Sequence, residues 1–343
     1  MGRHTFGPPR LLLCVVATTC LGACSGGLER FSSPCPSGQD LREERYDATS
    51  IQSRGCVGLD SERNYRRQGH WEFFHPNGQK HAEGSYVDGF QGGVTGDTGI
   101  LIDGREGLWM LWYESGQKQE ESTYRDGKRE GLWTTWYEHG QKQEEKTYLN
   151  GEREGLETLW YWNGQKQYEA TRRNGVRTGL TTVWYENGQK QEESTSQISD
   201  TPHRNLERVG LWTTWYENGQ KQEEKTYLNG TLDGLWTAWH ENGQKQEEVF
   251  YRDGDPEGLW TFWYESGQKR VESTWRDGRP GRHRSYWDEN GEKRLEGTFR
   301  DGQLEGLFTE WPENGQKSEE RTYRDGTRTS RTEWDEDGNQ ITR

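Results

Sequence analysis

From residue 69 to the end of the chain, short runs of aromatic and β-branched residues alternate with short charged runs at a nearly constant interval. Within 131–151 the run Leu132-Trp133-Thr134-Thr135-Trp136-Tyr137 has the composition of a strand. Glu138-His139-Gly140-Gln141 follows, written E-N-G-Q in most other copies, and an Asn-Gly pair between two strand-like runs predicts a two-residue type I′ hairpin turn. Residues 142–148 then return as the second strand. The link from Leu149 through Asn150-Gly151 to Gly155, written R-D-G in other copies, supplies a second turn into the next hairpin.

The unit repeats every 24 residues, with a turn glycine at Gly116, Gly140, Gly164 and Gly188, then at Gly219, Gly243, Gly267, Gly291 and Gly315. Gly78 lies 38 residues before Gly116, so about 14 residues are inserted there, and about 7 more are inserted between Gly188 and Gly219. With Gly338 closing the series, the chain holds eleven units. Stretches 131–151 and 210–230 differ only at His139 against Asn218, so duplication is recent and array length is adjustable. A short internal period means that each unit packs mainly on its neighbours. The expected fold is therefore all-β, an elongated antiparallel meander or solenoid of about eleven hairpins over 69–343.

Counting outward from a two-residue turn places Trp136 opposite Gln143 and Tyr137 opposite Lys142, with Thr135, Trp133 and Leu132 opposite Glu144, Lys146 and Thr147. Alternation along the strands then sorts side chains onto two faces. Face one holds Leu132, Thr134, Trp136, Gln143, Glu145 and Thr147; face two holds Trp133, Thr135, Tyr137, Lys142, Glu144, Lys146 and Tyr148. The Trp136 place is aromatic in every unit: Phe74, Trp112, Trp136, Trp160, Trp184, Trp215, Trp239, Trp263, Trp287, Trp311 and Trp334. A place held aromatic throughout predicts the stacking core, and hence a buried face one.

Composition changes this picture in two ways. With 28% hydrophobic and 30% charged residues the chain sits near the disordered class, but its 18 Trp and 16 Tyr supply large buriable surfaces instead of aliphatic ones. The net charge of -14, with basic residues dispersed, disfavours nucleic acid and anionic membrane surfaces as partners. The N-terminus reads as an export signal over 1–23, with Arg3 and Arg10 before the apolar run LLLCVVATTCL, too short to span a bilayer. Leu21-Gly22-Ala23-Cys24 resembles the lipobox of bacterial lipoproteins, so Cys24 is the expected lipidation site, and Ser25 after it implies the outer membrane. Residues 24–68 form a lipidated tether, in which Cys35 and Cys56 are the thiols left to pair in an oxidising envelope.

Face two varies more. The fourth and fifth units carry Glu157 and Thr181 where others carry Trp133-type rings, and Arg172 and Ser196 where others carry Tyr148-type rings. This polar window predicts a partner site at Glu157, Arg172, Thr181 and Ser196. His70, His75 and His81 cluster in the first unit, but alternation puts them on different faces, so no metal site is expected. Adjacent acidic pairs such as Glu144/Glu145 point to opposite faces and share no site. Phosphate loops, nucleophile elbows and calcium repeats are absent, so neither enzyme activity, a cofactor nor a small-molecule substrate is expected.

The pattern G-L-W-x-x-W-Y-E-N-G-Q-K, a hairpin return and x-D-G resembles the MORN repeat variant found in YwqK-type antitoxin proteins, over about 69–343. That resemblance implies β-hairpin arrays that bind proteins or lipids without catalysis, with an antitoxin or immunity-like role among the possibilities. A looser similarity to choline-binding and toxin cell-wall repeats, which also use W-Y and N-G hairpins, implies glycan binding as the alternative.

Overall fold

The computed structural model describes residues 35–45, 51–90, 100–198, 206–313 and 315–341. The expected signal, the lipobox-like motif and Cys24 lie outside them. The described residues form one sheet of 27 strands, antiparallel throughout, in which strands pair with their neighbours in sequence. It opens with Asp40–Arg45, Ile51–Leu59 and Tyr65–Phe74. Cys35 and Cys56 are joined in a disulfide, which ties the first residues of the sheet to its second strand.

The two turns of each unit are built differently, and in the reverse of the sequence expectation. Asn150 and Gly151 have φ of 51° and 88°, so the Asn-Gly or Asp-Gly link is the two-residue turn with both central residues left-handed. The E-N-G-Q turn holds only its glycine there, Gly140 at 93°. Gly140 N–H donates to Tyr137 O at 2.8 Å, and Tyr137 N–H donates to Gln141 O at 2.8 Å, giving a three-residue loop. Trp136 consequently pairs with Lys142, while Thr135 still pairs with Glu144. Gln143 is the extra residue of a bulge. The expected pairs nearer the Asn150-Gly151 link hold: Trp133 with Lys146 and Leu132 with Thr147. Lys142, expected on face two, moves to face one beside Trp136.

The expected core is also on the wrong face. None of Phe74, Trp112, Trp136, Trp160, Trp184, Trp215, Trp239, Trp263, Trp287, Trp311 and Trp334 is buried; all are half-buried. The buried rings are on face two: Trp71, Phe73, Trp109, Tyr86, Tyr124, Tyr148, Tyr227 and Phe308, while Trp133, Trp212, Trp236 and Trp260 at the Trp71 place are half-buried. The reason lies in the paired positions. Gly84 stands opposite Trp71, with Trp109 on the following strand, and a Cβ on Gly84 would lie 2.2 Å from the Trp109 ring. A Cβ on Gly55 would likewise lie 2.3 Å from the Trp71 ring. Each indole lies down over a side-chain-free stretch of the preceding strand, which buries it without a second layer. Arg67 and Arg105 cover the outer ring faces, each 4.4 Å from the indole centroid.

The insertion before the second unit completes this cluster. Ile100 and Leu101 pack against Val57, Trp71, Phe73, Ala82, Tyr86, Trp109 and Tyr124. Tyr86 donates its hydroxyl to Leu101 O at 3.0 Å, and Arg105 Nε donates to the same oxygen at 2.8 Å. The N-terminal units thus own the apolar core of the array.

This burial ranks the tryptophans. Trp109→Ala should cost roughly 3–5 kcal/mol, in the range of fully buried aromatic deletions, and Trp215→Ala about half as much. Urea unfolding of the two variants checks the order; equal losses would return Trp215 to the core.

Candidate interaction surfaces

Face one is a set of parallel rows running across the strands, one residue of each kind per unit. Each Lys142-type ammonium reaches the next unit's indole, 4.9–5.9 Å from its centroid: Lys118 over Trp136, Lys142 over Trp160, and so on to Lys317 over Trp334. The same ammonium bonds the glutamate three residues on, as Lys118–Glu121 and Lys317–Glu320 do at 2.7 Å. The bulge makes this possible, because it returns Lys142 and Glu145 to one face despite their odd separation. Tyrosines of the turn strap the units together. Tyr113, Tyr137, Tyr161, Tyr185, Tyr216 and Tyr264 each donate their hydroxyl to the backbone oxygen of the next Trp136-type residue at 2.8–2.9 Å.

Beside the indole row runs a buried row of small hydroxyl residues, Thr134, Thr158, Thr182, Thr213, Thr237 and Thr261, continued by Ser285 and Thr309. Beyond it is a row that sequence reasoning placed in the core: Leu108, Leu132, Leu156, Leu180, Leu211, Leu235, Leu259 and Leu307. These leucines are 49–54% exposed. Among the described residues no second layer packs on face one, so they stand out from it. His70 and His283 occupy the leucine place in the first and ninth units, bounding seven consecutive leucines. The repetition of Leu at one place was visible in the sequence, but the face on which it would be uncovered was not.

The four residues expected to form a partner site do share one region of face two. Glu157 pairs with Ala170, which pairs with Thr181 on the next strand, and Ser196 pairs with Gly179. Their polar groups, however, are turned inward. Glu157 is 4% exposed and is held by Lys146 at 3.6 Å, Arg153 at 3.0 Å and Arg172. Thr181 and Ser196 are buried as well, and Thr181 Oγ1 has no hydrogen-bond partner. Arg153 stands where Arg129 covers Trp133 and Tyr148, so this unit exchanges a cation over two rings for a buried ion cluster. Arg153 and Arg172 of the same unit and Lys146 of the preceding one supply the countercharge of Glu157.

The histidine expectation needs correction too. His75 and His81 do meet, their rings stacked with centroids 4.2 Å apart, because His81 takes the bulge place. His70 lies with Glu72 and Glu83, their ligand atoms within 4.8 Å of one another. Lys80 bonds both carboxylates and Arg54 bonds Glu72, so protein cations already hold that cluster.

A family described as MORN repeat variant matches residues 67–88, 105–126, 129–150, 177–197, 208–229, 232–253 and 256–277. Seven units of this chain match that repeat. Among the segments without a match is the unit of Glu157 and Arg172, where the MORN aromatics of face two are replaced. No curated protein matches the chain. Solved structures that align with it include TcdB2-TccC3-Cdc42, at 10% identity, TM-score 0.18, 86% of this chain and 17% of that one. TcdB2-TccC3 aligns at 10% identity and TM-score 0.19, over 84% and 20%. The chain spans about a fifth of the length of these structures, and at such TM-scores the likeness carries no argument.

Two measurements follow from the charges. Glu157→Gln leaves Lys146, Arg153 and Arg172 without their carboxylate and should destabilise the middle units by roughly 3 kcal/mol. Glu157→Trp combined with Arg172→Tyr should recover most of that loss in chemical denaturation. Acid should act at both ends of the array. Burial, with the charge of His75 beside it, lowers His81 to about 4, so its contribution falls as pH drops from about 6.5 to about 4. Glu319 accepts from Arg321 Nε at 2.7 Å and also bonds Arg331; these bonds hold it at about 2 against burial. Its contribution is complete above about 4.5 and is lost as pH falls towards about 2. Stability measured against pH should lose its upper step in His81→Gln and its lower step in Glu319→Gln.

Proposed function

We propose that this chain is a non-catalytic, lipid-anchored scaffold of the bacterial envelope whose array binds a protein partner through the leucine row of face one. The observation that carries the reading is that row. Seven consecutive units expose the same half-uncovered leucine on one face. Apolar surface aligned in this way is characteristic of an interaction site rather than of scattered surface leucines. The MORN repeats support a scaffold or binding module, and the L-G-A-C motif ending at Cys24 supports the anchor. An immunity-like role is one form such binding takes.

Glycan binding through the aromatic ladder has less support, because lysines already occupy a face of the indoles that a sugar would stack on. The polar window around Glu157 serves the fold rather than the partner on this reading.

The test is proximity labelling on cells carrying the intact lipoprotein, repeated with Leu156→Glu plus Leu180→Glu and separately with Cys24→Ala. The leucine variant should keep its circular dichroism and membrane location but lose the principal labelled protein. Cys24→Ala should leave the membrane fraction after a high-salt wash. An unchanged labelling pattern in the leucine variant would remove face one from the proposal.

A further inference from the structure

In the turns between units, the first central residue has an N–H outside the strand ladder, and a carboxylate from the start of the same unit caps it. Asp126, Asn150, Asn174, Asp277 and Asp325 donate this N–H to Glu106, Glu130, Glu154, Glu257 and Glu305 at 2.7–2.9 Å, and Asp253 donates to Asp233 at 3.2 Å. Among the described turns from Asp126 onward two lack the cap, because Val209 stands in its place for Asn229 and Gly281 for Asp301. Val209 puts an apolar side chain there. Gly281 puts none, and among the described residues Asp301 N–H has no acceptor.

The same stretch exchanges acid for base. Asp255-Pro256-Glu257-Gly258 of the eighth unit becomes Arg279-Pro280-Gly281-Arg282 in the ninth, so two carboxylates give way to two guanidiniums. Arg279 and Arg282 line an open hollow of about 610 Å³ together with Arg276, Asp277, Arg300 and Asp301. Arg276 lies 3.9 Å from Asp277 and Arg300 lies 3.3 Å from Glu305, but pairs this exposed hold a guanidinium weakly. Arg279 and Arg282 have no ion pair among the described residues. The carboxylates on either side, Glu257 and Glu305, already cap their own turns.

We infer that this hollow binds a pair of carboxylates from an acidic segment of the protein partner, one of them standing where the repeat's own glutamate stands in other units. Four guanidiniums against two aspartates leave an excess of two positive charges, which two acidic side chains balance. Arginine forks take carboxylates bidentately, and the Asp301 N–H supplies the donor that the other turns give to glutamate. A small-molecule site encloses its ligand, whereas this hollow is open and its charged side chains are exposed, as in the polar rim of a protein interface. His283, which ends the leucine row, follows Arg282 directly, so the hollow adjoins the surface proposed for the partner. The source of the carboxylates rests on that reading; the site itself rests on the arginines and the uncapped turn.

The experiment is fluorescence anisotropy with the full-length chain in detergent at low salt and two labelled, amidated peptides, Gly-Ser-Glu-Glu-Ser-Gly and its Gln-Gln counterpart. The Glu-Glu peptide should bind, the Gln-Gln peptide at least about tenfold more weakly. Arg279→Gln with Arg282→Gln should weaken the Glu-Glu peptide by about tenfold. A Cβ on Gly281 would lie 2.4 Å from Thr274 Oγ1 and 2.8 Å from its carbonyl oxygen, so the glutamate must return together with its glycine. Gly281→Glu with Arg282→Gly restores that pair and should weaken the peptide as much, with circular dichroism unchanged. No binding of the Glu-Glu peptide, equal binding of the Gln-Gln peptide, or unchanged binding by either variant overturns the inference. Succinate that displaces the Glu-Glu peptide at equal concentration would give the site to a free acid and overturn the partner as its source. If the leucine variant loses its labelled partner in cells while the Glu-Glu peptide fails to bind, the scaffold reading stands and this site falls. If the peptide binds while labelling is unchanged in the leucine variant, the site stands and the leucine row falls, with the partner as its source.

Discussion

A sheet one layer thick has no second layer to bury its aromatic residues, and in this chain the indoles of face two solve that by lying across the neighbouring strand. Gly55 and Gly84 have no side chain, and the Trp71 and Trp109 rings occupy the space a Cβ would take. Arginine from the turn closes the outer face of each ring. In the first two units, large residue, missing side chain and covering cation thus form a unit of stability that needs only adjacent strands.

The other face is ordered by charge and hydrogen bonds instead. The bulge at Gln143 sets Lys142 and Glu145 on one side, and the ammonium joins its own carboxylate to the next unit's indole. Tyrosine hydroxyls tie consecutive turns together. Individually these exposed contacts are weak. Repeated in step they fix the spacing between units.

Departures from the repeat keep the same logic. Where Glu157 replaces an indole, Arg172 replaces a tyrosine and Arg153 changes partner from ring to carboxylate. In the eleventh unit, Arg331 takes the indole's place and pairs with Glu319, so charge again replaces a ring.

Much of this was determined by sequence alone. The period of 24, the hairpins, their antiparallel order and most of the strand register follow from turn glycines and alternation, which are local. The face of burial was not local. Deciding that Trp71 and Trp109 go under cover while the Trp136-type rings stay half open required the residues beneath the rings, Gly55 and Gly84, and these lie on other strands. The turn chemistry had the same limit. Asn-Gly occurs at both turns, and only the hydrogen bonds of Tyr137 with Gly140 and Gln141 make one of them a three-residue loop with a bulge. That extra residue shifts Lys142 across the sheet and creates the lysine–indole ladder. Tertiary structure also decided that the leucine row is uncovered, because exposure depends on whether a second layer exists, and nothing within a single unit states that.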